Sequence, residues 1–174
     1  MRWVALFSQT GSEIVEVSEA LGDYPDLCIT NQQDLTKIRH ELYENCAMKV
    51  TEKAVPPQLY YQLIGTPTDT IVTLNGWLRI VPPEICEAYE MYNGHPGLIT
   101  KHPQLKGKDP QQKAFDLQLT ASGCVIHRVT PEVDGGEILA EQEVRIDNMT
   151  LPAIFTILHN TSVNLWVNFL SNKL

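Results

Sequence analysis

The chain has 174 residues, of which 43% are hydrophobic and 20% charged, and its formal net charge is −8. That length suits one domain with a sizeable core, and no apolar run approaches the roughly 20 residues that cross a bilayer, so no membrane partner is expected. The acidic balance argues against a protein that grips nucleic acid through its phosphates, yet leaves room for a small anion held by local backbone dipoles.

Trp3 to Phe7 is an apolar run of strand length that turns polar at Ser8-Gln9. It is too short for a signal-peptide core and lacks a small-residue cleavage pattern, so a first strand and residence in the cytoplasm are expected. Ser8-Gln9-Thr10-Gly11-Ser12 reads as a turn, and Ile14, Val15, Val17, Ser18 and Leu21 fall on one side of a short helix ended by Gly22. Leu27-Cys28-Ile29-Thr30 is a second strand, after which Leu35, Ile38, Leu42 and Tyr43 recur at helical spacing. A third strand is expected near Ala47 to Val50 and a helix from Pro57 to Ile64. Thr70-Ile71-Val72-Thr73-Leu74 is β-branched and bounded by Asp69 and Gly76, the pattern of a central strand running into a loop. Pro82-Pro83 opens a helix over Pro83 to Met91, and Met91-Tyr92 is a candidate short strand before a turn at Asn93-Gly94-His95-Pro96.

The second half reads differently. Val125 to Val129 and Glu137 to Ile146 are strand-like, with Ile138, Ala140, Val144 and Ile146 on one face and Glu137, Glu141, Glu143 and Arg145 on the other. The last helix, capped by Thr150, carries a stripe of Leu151, Ile154, Phe155, Leu158, Ser162, Leu165, Trp166 and Phe169. Strands alternating with helices predict an α/β fold with a mostly parallel sheet covered on both faces, extended by antiparallel strands. Repeats, low-complexity tracts and linkers are absent, so residues 1–174 read as a single domain.

Cys28, Cys46, Cys86 and Cys124 form no CxxC pair and sit among apolar neighbours, which predicts buried free thiols and no metal site. Lys101, Lys106, Lys108 and Lys113 read as a solvated basic loop, and His102 and His127 as surface or satisfied strand histidines.

Two motifs carry chemistry. In Asn93-Gly94-His95-Pro96, an amide and an imidazole sit two residues apart, and both can donate to an oxygen that becomes negative. Asp134, before Gly135-Gly136, supplies a carboxylate that would hold a proton on His95 or relay one through water. Each motif alone is also an ordinary turn.

Taken in order, Gly76-Trp77-Leu78-Arg79-Ile80, Asn93-Gly94-His95-Pro96, Val129-Thr130 and Val133-Asp134-Gly135-Gly136 resemble the folate-dependent formyltransferases, and among them most resemble the phosphoribosylglycinamide formyltransferases. Thr10-Gly11-Ser12 and Ile29-Thr30-Asn31 fall where that family has its first turn and the end of its second strand, so the resemblance covers nearly the whole chain. It implies a Rossmann-like sheet, 10-formyltetrahydrofolate as co-substrate without a metal, and a small-molecule amine as acceptor, most readily phosphoribosylglycinamide of purine biosynthesis. Asn93, His95 and Asp134 match the catalytic trio. Trp77, Leu78, Arg79, Ile80 and Val81, with Thr130 and Val133, match the folate side, and Thr10, Gly11, Ser12 and Glu13 match the acceptor-phosphate turn.

Three departures stand out. Gly94 occupies a position that is usually aliphatic, and Glu13 one that is usually Asn in the ribotide enzymes. The stretch Leu151 to Leu174 holds no Asp or Glu, where those enzymes place an acid. Thr10-x-x-Glu13 is also a capping box, in which the turn would satisfy itself rather than a phosphate. Formylation of an amino sugar or nucleotide sugar, formyltetrahydrofolate hydrolysis and a non-catalytic folate binder therefore stand beside the ribotide reading.

Overall fold

A computed structural model of the chain describes residues 1–174 as a seven-stranded sheet in the order β3-β2-β1-β4-β5-β6-β7. Strands β1 (Arg2–Phe7), β2 (Leu27–Thr30), β3 (Ala47–Val50), β4 (Thr70–Leu74) and β5 (Glu90–His95) run parallel. β6 (Ala121–Arg128) and β7 (Ile138–Arg145) continue the sheet antiparallel. The predicted α/β class, mostly parallel with an antiparallel C-terminal part, is the class observed.

Alternation along β1 builds two cores. Trp3, Ala5 and Phe7 pack on one face with α1 (Ser12–Leu21) and α6 (Leu151–Ser171), through Ile14, Val15, Leu158 and Trp166. Val4 and Leu6 pack on the other with α3 (Pro57–Ile64) and α4 (Pro83–Ala88), through Tyr60, Ile64 and Ile85. All five residues of β4 are buried, as a strand covered on both faces requires. No helix is long and apolar enough to cross a membrane.

Several boundaries differ from the sequence reading. The chain leaves its helical path after Ala88, and Asn93, Gly94 and His95 lie in β5 rather than in a turn. Pairing with β4 on one side and β6 on the other supplies the ladder bonds that a turn would have lacked. The stretch after Asn31 is a 3-10 turn, Leu35–Lys37, followed by the short α2 (His40–Asn45). Asp34 accepts from Thr36 N at 3.1 Å, and Arg39 N donates to Thr10 O at 2.9 Å, which draws the chain out of a continuous helix. The lysine stretch is not all loop: it contains a 3-10 turn, Pro103–Leu105, and α5 (Pro110–Asp116). β6 starts at Ala121, and a Cβ on its Gly123 would lie 2.1 Å from the Gln142 carbonyl oxygen of β7. On α6, capped by Thr150 accepting from Ala153 N, Phe155 is exposed and Thr161 and Leu170 join the buried face. All four cysteines are free; Cys46 is only half-buried, with its Sγ 3.4 Å from that of Cys28.

Candidate active site

The chain ends of β1, β4 and β5 open on a cavity of about 1160 Å³. Gln9 enters its wall from the turn after β1, Gly76 to Val81 from the loop after β4, and Asn93 and His95 from β5. The segment leaving β6 closes the far side with His127 and Val129 to Asp134. The order of strands reverses at the β1–β4 pair, and the crevice outside such a switch point is where open α/β sheets take ligands.

The folate-side candidates all line this cavity. Leu78 and Ile80 are 67% and 69% exposed, and Val133, from the segment after β6, is exposed in the same lining. Three apolar side chains left in the open around one cleft make walls suited to a flat ring. Trp77 and Val81 are buried, and Trp77 donates to the Tyr60 hydroxyl at 3.3 Å, which makes both structural walls. Arg79 Nε donates to the Lys53 carbonyl, and the Thr130 hydroxyl donates to the Glu132 carbonyl at 3.2 Å.

Asn93, His95 and Asp134 meet at the floor. Asn93 Nδ2 lies 3.5 Å from Asp134 Oδ1, and His95 Nδ1 lies 3.3 Å from Asp134 Oδ2. Gly107 N donates to the same Oδ2 at 2.8 Å. Asp134 reaches inward because its backbone is left-handed, with φ 52°, a conformation that Asp tolerates better than most residues. Gly136 permits the return of the loop, since a Cβ there would sit 1.7 Å from the Arg128 carbonyl oxygen.

A fourth member was read from the sequence as an ordinary strand histidine. His127 pairs across the ladder with Asn93, and its Nε2 lies 3.1 Å from Asp134 Oδ1 and 3.2 Å from Asn93 Nδ2. Its position seven residues before Asp134 was visible; the register that sets it opposite Asn93 was not.

The backbone assigns protons within this cluster. His95 Nε2 is 2.7 Å from the Leu105 carbonyl oxygen and His127 Nδ1 is 2.9 Å from that of Arg128, and a carbonyl oxygen only accepts. Each ring therefore carries a proton on its carbonyl side and turns its other nitrogen toward Asp134. A proton delivered to either facing nitrogen makes a charge-assisted bond to the carboxylate.

Burial pulls the His95 imidazole below its ordinary value, outweighing the Asp134 carboxylate and the Leu105 carbonyl, which push it up. Burial alone would raise the Asp134 carboxyl; the bond it accepts from His127 when Nε2 holds a proton, the charge of His95 when that ring is protonated, and the Gly107 N–H together hold it below its ordinary value. The site is thus a carboxylate beside a buried imidazole that favours the neutral form. The Asp134 carboxylate pushes the His95 imidazole toward its charged form, but burial wins.

Thr10, Gly11 and Ser12 lie outside the cavity wall, at the start of α1. The capping box does not form. Gly11 is the N-cap, Thr10 Oγ1 accepts from Ser12 N at 3.3 Å, and Glu13 turns away. Its carboxylate accepts instead from Asn75 Nδ2 at 2.9 Å and from Ser162 Oγ at 2.9 Å, two donors from β4's exit and α6. These partners are distant in sequence, so local spacing favoured the wrong one.

A family model described as formyl transferase matches residues 2–159. The chain belongs to the formyl transferase family. Among solved structures, phosphoribosylglycinamide formyltransferase from Campylobacter jejuni is 22% identical, with a TM-score of 0.80 over 98% of this chain and 96% of its own. The enzyme of the same description from Bacillus halodurans is 25% identical, with a TM-score of 0.76 and coverage of 98% and 96%. A formyltetrahydrofolate deformylase from Pseudomonas syringae is 21% identical, with a TM-score of 0.75 over 97% of this chain and 60% of its own. No curated protein matches the chain. At these identities the structural likeness speaks for the formyltransferase fold and not for the acceptor.

Proposed function

We propose that this family member moves a formyl group from 10-formyltetrahydrofolate to a primary amine, with phosphoribosylglycinamide as the leading acceptor. The observation that carries the reading is the convergence of Asn93, His95, His127 and Asp134 on the floor of a cavity whose mouth is apolar. The cavity is of the size that takes a ligand as large as a folate, and exposed Leu78, Ile80 and Val133 offer faces for a ring. Lys108 on the same wall offers a cation to an anionic tail. The folate supplies an activated formyl carbon.

The amine lone pair bonds to that carbon, the carbon–nitrogen bond to the donor breaks, and one proton passes from the amine to the departing nitrogen. Asn93 Nδ2 and His95 Nε2 are the donors for the oxygen that becomes negative. In this geometry both are engaged, with His127 and Leu105 respectively, so each exchanges a resident partner for the reacting oxygen. Asp134, between two imidazoles, receives and passes the proton.

An amino-sugar acceptor is the second reading, favoured by the Glu13 charge at the start of α1 and by an α6 without acid. The test is turnover of 10-formyltetrahydrofolate with glycinamide ribotide, with amino sugars free and nucleotide-linked, and with water alone. Formylated ribotide supports the leading reading, and a formylated sugar or bare hydrolysis replaces it. No loss of the formyl group under any condition would sink the proposal.

A further inference from the structure

Gly94 stands between two members of the trio, and α6 fills the space its side chain would take. A Cβ at Gly94 would lie 2.6 Å from Nε1, 3.0 Å from Cε2 and 3.1 Å from Cζ2 of Trp166. Side chains alternate along a strand, so the indole presses on β5 from the face opposite to Asn93 and His95.

The ring has little freedom to yield. Trp166 is 0% exposed and meets Phe169 edge-on, with centroids 6.0 Å apart, while Phe169 meets Tyr92 of β5 at 4.9 Å. One helical turn before Trp166, Ser162 donates to Glu13, and Glu13 in turn holds Asn75. Asn75 directly follows Leu74, the residue that pairs with Asn93 in the parallel ladder. One face of α6 is thus anchored twice beside the catalytic strand, once through Glu13 and once through the indole. Trp166 Nε1 is buried with no partner, so the indole lies against Gly94 without a hydrogen bond to reward its polar atom.

We propose that Trp166 is a positioning residue for formyl transfer: it stands in for the side chain missing at Gly94 and fixes the backbone that carries Asn93 and His95. This rests on the formyl-transfer reading of the site. Trp166 touches neither substrate; it acts through the strand. The Gly94 and Trp166 positions are therefore coupled, and a larger residue at one is tolerated only with a smaller residue at the other.

The test is a cycle of Gly94→Val, Trp166→Val and the double variant, whose summed volume is close to that of the native pair. Each single change is expected to lower kcat roughly 10-fold to 100-fold, as sub-ångström to ångström displacement of reacting groups does, with KM for the formyl donor little changed. The double variant is expected to recover most of the loss, a non-additivity that independent structural damage does not produce. NMR of the His95 ring should shift in both singles and return in the double. If Gly94→Val does not fold, Gly94→Ala with Trp166→Phe replaces the pair.

Wild-type kcat in Gly94→Val, or a double variant no better than its worse parent in both kcat and the His95 resonance, overturns the proposal. If the wild-type protein transfers no formyl group at all, the reading of its reaction falls. The His95 resonance in the same four proteins then still decides the coupling.

Discussion

Nε2 of His127 lies 3.1 Å from Oδ1 of Asp134, so the carboxylate is flanked on two sides by imidazoles rather than on one. Replacing His127 by Ala should release Asp134 Oδ1 and the Asn93 amide together. The expected result is a fall in kcat of roughly 10²-fold, the usual scale for a group in a proton-transfer network. Steady-state kinetics with the formyl donor checks it. Unchanged turnover would make His127 a bystander.

Asn93→Ala, His95→Ala and Asp134→Ala should each lower kcat by roughly 10²-fold or more, because the first two donate to a charge that develops in the transition state and the third accepts and passes the proton there. Binding of a folate analogue without the formyl group should weaken far less, since the walls proposed for it are the exposed apolar side chains of Leu78, Ile80 and Val133. Single-turnover transfer beside a binding titration separates the two quantities. Near-normal turnover in His95→Ala would remove the imidazole from the mechanism.

The pH dependence of stability has a definite sign. His95 is held below its ordinary value in the folded chain, so near its unfolded value of about 6.5 the unfolded chain takes up a proton that the folded one refuses. Its contribution is fully present above that pH and is lost as pH falls toward the lower folded value. Asp134, also held low, adds a second loss below about pH 3.9. Melting temperatures measured from about pH 8 to about pH 5 should fall for the wild type and fall less for His95→Gln. Parallel curves for the two proteins would contradict the assignment.

Glu13→Ala should leave Asn75 Nδ2 and Ser162 Oγ without their acceptor, at a cost of about 1–3 kcal/mol in urea unfolding. The same change removes a negative charge from the start of α1. Ribotide affinity should then rise if the acceptor phosphate sits there, and stay constant if it does not. Isothermal titration beside the unfolding curve reads both. Unchanged stability would show that the tether is not formed in solution.

The order of elements was largely legible because burial imposes it. β4 is β-branched and buried on both faces, and α1 and α6 carry stripes bounded by Gly22 and Thr150. What could not be read depended on partners far along the chain. Asn93, Gly94 and His95 have turn-like identities, and only the ladders to β4 and β6 make them strand. His127 acquired its place from a register, and Glu13 chose Asn75 and Ser162 over the nearby Thr10. Gly94, an unexplained departure in sequence, became intelligible only when Trp166 was seen to lie where its side chain would be.

The two outermost strands answer a different hazard. Each presents unpaired backbone to solvent, a template on which a second copy could extend the sheet into an aggregate. β3 offers only four residues and includes Lys49, whose Nζ turns to the Leu63 carbonyl at 2.9 Å. β7 offers eight, but Glu141, Gln142 and Glu143 stand exposed in succession, and Glu143 pairs with Lys101 at 2.6 Å. Two copies meeting along β7 would bring like charges together on a chain that already carries −8. The acidity of the chain, which says little about its chemistry, thus guards the open end of the sheet against fibre formation.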